Sequence, residues 1–441
     1  MKTNSTVSAL TRRHFLRTAA MAGGAVVLPS IIPASALGRN GAVAPSERIL
    51  MGAIGIGGRG TSDLNWMLAE SDVQFLAVCD VNKMKREAAK NIVDGKYGNK
   101  DCATYGDIRQ FLAERTDIDA LLIATGDRWH ALAATMAMKA GKDVYCEKPS
   151  CLTITEGKMV VDTAARYGRI FQTGAQRLSE ANHVYAIEMA RSGKLGKIHT
   201  VYADIRFSGG ARNDYLPAEP EPSKDELDWD VWLGPCPWRP YNKGYVAHQW
   251  YNFYDFATDV AMWGAHTIAQ ALAGIDISHI SPIELEYKSV STSMVVNLAS
   301  GVKMIMFRGG DCWQPCEYWH GSCGERFDGP EGWLAAADGY SKPDASSPEL
   351  MADYKKVISE YTVRTRRPLN HARDFFDCVR SRRTPVANPD VMYKSMCIAL
   401  AADICNRLQR NLKLDLDKAE FIGDDEANRL RLRTPRSPWM A

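Results

Sequence analysis

Ile49-Leu50-Met51-Gly52-Ala53-Ile54-Gly55-Ile56-Gly57-Gly58-Arg59-Gly60 decides the fold of the first half of this chain. The first six residues are an apolar run long enough for one buried strand. G-x-G-x-x-G follows, with glycines at 55, 57 and 60. Residues 63–70 then alternate as an amphipathic helix. A second apolar run, Val73 to Cys79, ends on Asp80, twenty residues after Gly60. Strand, glycine turn, helix, strand and acid, in that order, make a dinucleotide-binding βαβ unit. Gly55 permits the tight turn, Gly57 lets the backbone approach a pyrophosphate, and Gly60 lets helix and strand pack closely. Gly58 and Arg59 open the helix, whose free N–H groups and partial positive charge suit phosphate. Asp80 is placed to accept hydrogen bonds from a ribose, which favours NAD. Lys83, Lys85 and Arg86 follow it and leave NADP possible.

Downstream, the same alternation continues. A charged helix spans Lys83 to Tyr97, and Asp119 to Ala124 is a third strand. An alanine- and methionine-rich helix ends at Gly141. Asp143 to Cys146 is a fourth strand, a helix capped by Thr153 runs to Tyr167, and Arg169 to Gln172 is a fifth strand. Strands alternating with helices predict a parallel sheet, whose ligands lie beyond the strands' carboxyl ends. Those ends carry Asp80, Thr125, Asp127, Trp129, His130, Glu147, Lys148 and Gln176, all candidates for the cofactor site. His130 either contacts the cofactor or caps structure.

After about Arg191 the pattern changes. Lys197 to Phe207, Ile283 to Tyr287, Thr292 to Leu298 and Val302 to Phe307 read as strands of a second, mixed or antiparallel sheet. Residues 309–348 read as long loops, 371–380 and 391–408 as helices, and 412–414 as a short edge strand. The expected class is α/β, in two domains. Residues 47–172 form a Rossmann parallel sheet. Residues 173–441 form an α/β domain with a large open sheet, its last helices returning toward the first domain.

The first 36 residues differ from the rest. Arg12-Arg13 precede a short apolar run and the small-residue site Ala34-Ser35-Ala36, the pattern of a twin-arginine signal peptide. The expected destination is the periplasm, with no stable membrane span after cleavage. This leader holds Lys2, Arg12, Arg13, Arg17 and no acid. Without these four, the chain's 54 Lys and Arg fall just below its 52 Asp and Glu. That balance gives no positive field for nucleic acid. Eleven scattered cysteines make no disulfide framework. Cys312, Cys316 and Cys323 lack zinc-ligand spacing, so no metal is expected.

Glu147-Lys148-Pro149, the glycine turn and the acid-ended second strand resemble the Gfo/Idh/MocA family of oxidoreductases. Trp232-Leu233-Gly234-Pro235, Trp263-Gly264-Ala265-His266 and the tail from Glu420 to Asn428 extend the resemblance over nearly all of the chain after the leader. It implies nicotinamide chemistry on sugars, cyclitols and related alcohols, and homo-oligomers (dimers or tetramers) built on the open sheet. It makes Lys148 the lysine near the nicotinamide and the substrate hydroxyl, and His266 the acid/base histidine. The family places an acid shortly before that histidine. Here Met262 stands directly before Trp263, and the nearest acids are Asp259 and Asp255. Asp259 is therefore the third catalytic candidate.

Eight of the eleven tryptophans fall at 229, 232, 238, 250, 263, 313, 319 and 333. Flat aromatic faces suit sugar rings. Asp204, Arg206, Arg212, Asn213, Tyr241, Tyr251 and Arg308 are candidate polar neighbours in a carbohydrate pocket. The leading expectation is an oxidoreductase that interconverts a hydroxyl and a ketone on a sugar or glycoside, at C3 of glucosides, with tightly bound cofactor. Two alternatives stand beside it: a glycosidase that works by transient C3 oxidation and elimination, and a non-catalytic sugar- or cofactor-binding protein.

Overall fold

In the computed structural model, residues 43–205, 212–288, 293–307, 322–339 and 342–439 are described, apart from the side chains of His248, Gln249 and Asp259. The signal-peptide expectation for residues 1–36 lies outside the described residues, as do Arg206, Arg308, Cys312, Cys316, Trp313 and Trp319.

Six strands form the first sheet: β1 (Ile49–Ile54), β2 (Val73–Cys79), β3 (Ala103–Tyr105), β4 (Ala120–Ile123), β5 (Asp143–Cys146) and β6 (Phe171–Thr173). Their order is β3-β2-β1-β4-β5-β6, and every pairing is parallel. The direction of winding reverses between β1 and β4, so the crevice at the glycine turn is the switch point. β4 and β5 are buried along their whole length, which is why they read as continuous apolar runs. β3 and the helix Ile108–Glu114 were not expected. β3 has only three residues, all half-buried, so it lacks an apolar run to betray it. The other boundaries follow local chemistry. Asn82 caps Lys83–Tyr97, and Gly98 ends it in the left-handed region. Thr153 and Glu156 form a capping box at the start of Ile154–Tyr167.

The second sheet contains β7 (Thr200–Asp204), β8 (Ile283–Glu286), β9 (Ser293–Leu298), β10 (Lys303–Phe307), β11 (Glu325–Gly329), β12 (Gly332–Ala336), β13 (Asp344–Ala345), β14 (Leu412–Asp415) and β15 (Glu420–Phe421). Its order is β13-β12-β11-β7-β10-β9-β8-β14-β15. β7 and β10 pair in parallel and the other neighbours antiparallel, so the sheet is mixed. Two expectations are corrected. The supposed loop at 309–348 contains β11, β12 and β13, and 412–414 lies one strand in from the edge, covered by β15. Charges inside the strands hid them. Glu325 is fully buried against His183 at 2.8 Å, and Arg326 pairs with Asp328 and stacks on Trp333 at 4.3 Å. On the face that meets the helix Asp259–Ala273, Val201 and Ala203 are fully buried. The other face exposes Glu284, Lys303 and Lys413.

Pro389–Leu408 packs against both Asp259–Ala273 and Ile154–Tyr167 and so ties the two sheets together. His371–Ser381 returns to the first sheet, where Phe375 meets Tyr145 edge-on at 5.8 Å. Burying rings of this size contributes about 1.5–3 kcal/mol each. The described cysteines are free and buried. Among the described residues, no helix is long and apolar enough to cross a membrane.

Candidate active site

The glycine turn divides its work among its residues. Gly55 has φ +79°, and a Cβ there would meet the backbone of Thr125 at 2.5 Å. A Cβ on Gly60 would meet the carbonyl oxygen of Gly55 at 2.4 Å. These two positions exclude any side chain. At Gly57 a Cβ would meet only Lys85 Nζ, at 3.9 Å, and at Gly58 nothing within 4 Å. Those two positions face open space, and no side chain caps the helix that starts there. The result is an uncovered helix N-terminus over a cleft of about 280 Å³. Gly55, Gly57, Gly58, Arg59, Asp80, Lys85, Thr125, Arg128, Trp129 and Trp250 are among its walls. An extended diphosphate fits these donors and this space.

Asp80 stands at the end of β2. Its Oδ2 accepts from Ile56 N–H and its Oδ1 from Asn82 N–H, each at 2.8 Å. Burial pushes the carboxyl pKa up; the two backbone donors and Lys85 oppose it. Each oxygen keeps one lone pair for a ribose hydroxyl. Arg86, a candidate 2′-phosphate partner, is instead spent on the carbonyls of Asp80, Val81 and Asp225. Trp129 lines the cleft and donates from Nε1 to Val231 O at 3.1 Å.

Beside this cleft gather the buried Asp127, Glu147 and His130 and the half-buried Lys148 and Gln176. Arg59 joins this group to the cleft, reaching Asp63 at 2.8 Å and Glu147 at 3.2 Å. Gln176 donates to Glu147 at 2.6 Å and to Tyr145 Oη at 2.9 Å. His130 Nδ1 meets Pro149 O at 2.7 Å. Glu147, Gln176 and His130 therefore brace the turn that carries Lys148, because their polar atoms face one another and the turn's backbone. His130 Nε2 is buried without a hydrogen-bond partner among the described residues.

Lys148 Nζ donates to Met262 O at 3.0 Å. Met262 lies one helical turn before His266, so lysine and histidine converge from β5 and from Asp259–Ala273. His266 is 2% exposed. Burial, then Lys148, Arg177 and Arg59, hold its pKa well below the usual histidine range. The side chain of Asp259 lies outside the described residues, and Asp255 is bound to Arg239. The acid that answers Lys148 is Asp127. It is buried, its Oδ2 has no partner among the described residues, and burial pushes it to about 7 while Lys148 pulls it down. Two further residues were missed. Arg177 touches His266 at 3.1 Å and is clamped by Asp338 at 3.0 and 2.6 Å. Arg177 sits just past a strand end, where ligands gather, and that position was the signal available for it.

The expected aromatic groups fall in several places. Trp229 and Trp232 stack at 4.7 Å inside a separate buried cluster with Tyr245, Phe253 and Phe256. Tyr241 packs edge-on against Trp229 at 5.2 Å, and Trp333 lies on β12. Arg212 pairs with Asp214. Trp229 and Trp232 thus belong to a core beside the cleft, Trp232 and Trp250 also line that cleft, and Trp238 and Tyr251 are exposed.

Residues 210–441 match the oxidoreductase family's C-terminal alpha/beta domain, and residues 49–175 match its NAD-binding Rossmann fold. The chain belongs to the Gfo/Idh/MocA oxidoreductase family. It is 30% identical over 205 residues to an alpha-N-acetylgalactosaminidase from Shewanella oneidensis, covering 42% of this chain and 44% of that one. It is 29% identical over 207 residues to a glycosyl hydrolase family 109 protein from Shewanella pealeana, covering 43% and 44%. The chain thus matches less than half the length of these curated relatives. Among solved structures, this family member resembles the WlbA dehydrogenase from Chromobacterium violaceum in complex with NADH and UDP-GlcNAcA. The TM-score is 0.59 at 16% identity, covering 85% of this chain and 99% of that one. It also resembles an aldose-aldose oxidoreductase from Caulobacter crescentus, with TM-score 0.55, 17% identity, and coverage of 83% and 100%.

Proposed function

We propose that this family member interconverts a secondary hydroxyl and a ketone on a sugar or glycoside, with C3 of a glucoside as the reacting position. The observation that carries this is the convergence of Lys148 and His266, joined through Met262 O at 3.0 Å, beside the cleft of the glycine turn. NAD, when bound there, supplies the hydride acceptor. Gly57, Gly58 and the helix N-terminus would hold its diphosphate and Asp80 a ribose. Lys148 holds the substrate oxygen and relays its proton to Asp127. Glu147, Gln176 and His130 brace the turn that holds the lysine in place. The test is a panel of glycosides and ketoglycosides read by nicotinamide absorbance, with products identified by mass. Turnover is expected for some member, and Lys148→Ala is expected to remove it without releasing bound NAD. Unchanged turnover in that variant rejects the assignment.

A second reading is favoured by the likeness to the glycosyl hydrolase family 109 relatives. Here the same oxidation is transient: the acidified neighbouring C–H is deprotonated, the aglycone is eliminated, and the hydride returns. Aryl glycosides separate the two. Phenol release with no net change in nicotinamide absorbance supports the glycosidase; accumulation of ketoglycoside supports the dehydrogenase.

The leader pattern at Arg12-Arg13 supports export to the periplasm by the twin-arginine route with NAD loaded beforehand. Periplasmic protein lacking stoichiometric nicotinamide would count against that. The open face of the second sheet supports a homo-oligomer, to be checked by light scattering.

A further inference from the structure

His266 gives its acceptor nitrogen away inside the protein. Arg177 Nη1 donates to His266 Nε2 at 3.1 Å. A guanidinium has donors only and stays charged at any pH a protein survives, so Nε2 is unprotonated and the ring proton sits on Nδ1. Arg177 cannot swing away freely. Its Nε meets Asp338 Oδ1 at 3.0 Å and its Nη2 meets Oδ2 at 2.6 Å, a two-pronged clamp. The ring is 2% exposed, and Nδ1 has no hydrogen-bond partner among the described residues. Native proteins seldom bury a donor with nothing to receive it unless a ligand or water completes the bond.

The charges around the ring agree with a neutral imidazole. Lys148 acts on it from the turn after β5, Arg177 from the turn after β6 and Arg59 from the glycine-turn helix, while His371 packs from the helix His371–Ser381. A proton taken up on Nε2 would displace Arg177 and set an imidazolium among three cations.

We infer that His266 serves the reaction as a neutral hydrogen-bond donor through Nδ1–H, and that Arg177, clamped by Asp338, is the positioning residue that fixes this tautomer. The inference rests on the proposed oxidoreductase reading and deepens it. The group that Nδ1–H meets is an oxygen acceptor, the reacting hydroxyl or its neighbour. Lys148 and His266 then form a pair of preorganised donors for an oxygen that gains negative charge as its proton leaves toward Asp127. No proton moves to or from His266 itself, so the proton balance runs through Lys148 alone.

An asparagine side chain puts its Nδ2–H₂ where the histidine Nδ1–H was and cannot serve as a base. In the full chain with NAD bound, His266→Asn is expected to keep turnover within about tenfold of the parent, while His266→Ala loses roughly 10²–10³-fold. Asparagine as poor as alanine, at equal bound nicotinamide, overturns the donor role. The pH profile of the parent is expected to lack a histidine limb. Arg177→Met frees Nε2 and is expected to introduce an acidic limb at about pH 6. A limb already present in the parent and abolished by His266→Asn overturns the inference. A third readout needs no turnover: imidazole nitrogen NMR, with the His266 signal assigned by its loss in His266→Asn, is expected to show the Nδ1–H form. An Nε2–H form refutes the inference. Should the parent turn over no sugar or glycoside, the functional reading fails on its own while the nitrogen spectrum still decides the tautomer.

Discussion

Asp80→Asn tests the cofactor site where its chemistry is most exposed to measurement. The two carboxylate oxygens each accept one backbone N–H at 2.8 Å, from Ile56 and from Asn82. Asparagine keeps the shape but turns one oxygen into a donor, so one of these two bonds is lost. It also removes the charge that would face the ribose. A hydrogen bond to a charged acceptor contributes about 1.5–3 kcal/mol, and a neutral one about 0.5–1.5. Two ribose bonds weakened by about 1 kcal/mol each predict NADH binding weaker by about 30-fold. A 2′-phosphate gains instead. Two unit charges at 4 Å repel by about 4 kcal/mol at an effective dielectric of 20, and an open cleft screens much of that. Relief of about 1–2 kcal/mol, with Lys85 already on the cleft wall, offsets most of NADPH's share of the lost bonds. Together, the NADH preference is expected to shrink by roughly one to two orders of magnitude. The assay is fluorescence titration of stripped protein with NADH and NADPH, alongside thermal melts. A ratio that moves by less than about threefold in a variant that melts like the parent would falsify the placement of Asp80 on the ribose.

Three further outcomes follow from the same geometry. Gly58→Glu is expected to fold, because a Cβ there meets nothing within 4 Å, yet to lose NAD in a titration, because its carboxylate occupies the phosphate position. Asp63 is buried, and burial with Glu147 nearby raises its carboxyl to about 8 from 3.8. A raised acid stabilises the fold below its unfolded pKa and loses that contribution as pH rises through the folded one. Asp63→Asn should therefore melt higher than the parent above pH 8, by on the order of 1–3 kcal/mol, with the gain gone at about pH 4. Arg239 is 1% exposed and lies 4.5 Å over Phe256 and 4.6 Å over Tyr215. Arg239→Ala should cost about 3–5 kcal/mol in denaturant unfolding, through the cavity and the lost ring contacts; a cost below about 1 kcal/mol would show that the cluster repacks.

The parallel half of the molecule was legible because its signals are local. An apolar run before Gly55, an acid after Val73 to Cys79, and Thr153 three residues before Glu156 each act within one turn of chain. The second sheet was legible where strands alternate, as in Ser293–Leu298, and not where a buried ion pair replaced the apolar residue, as at Glu325 and Arg326. Lys148 and His266 could be named only through resemblance to a family, since nothing in the spacing of residues 148 and 266 brings them together. Arg177 and Asp338 are 161 residues apart and meet only through the fold. Clustering of tryptophans in sequence is shared by sugar pockets and by small aromatic cores, and the packing of Trp229 on Trp232 is supplied only by the fold.

The two kinds of residue, legible and illegible, set one electrostatic property between them. Arg59, Lys148 and Arg177 are three cations around His266. Four acids face them: Asp63, Asp127, Glu147 and Asp338. Burial raises Asp63 to about 8 and Asp127 to about 7, so near neutral pH two of the four carry less than their full charge. Glu147 and Asp338 are left to answer three cations, through Arg59 at 3.2 Å and Arg177 at 2.6 Å. The remaining positive charge is that of Lys148, which faces a carbonyl of the His266 helix. A site that is net positive where the substrate oxygen sheds its proton stabilises the alkoxide more than the alcohol, and that difference is what lowers a barrier. Asp127 takes that proton only when ionised, so turnover should rise with pH through a group near 7, and Asp127→Asn should remove this limb together with most of the turnover.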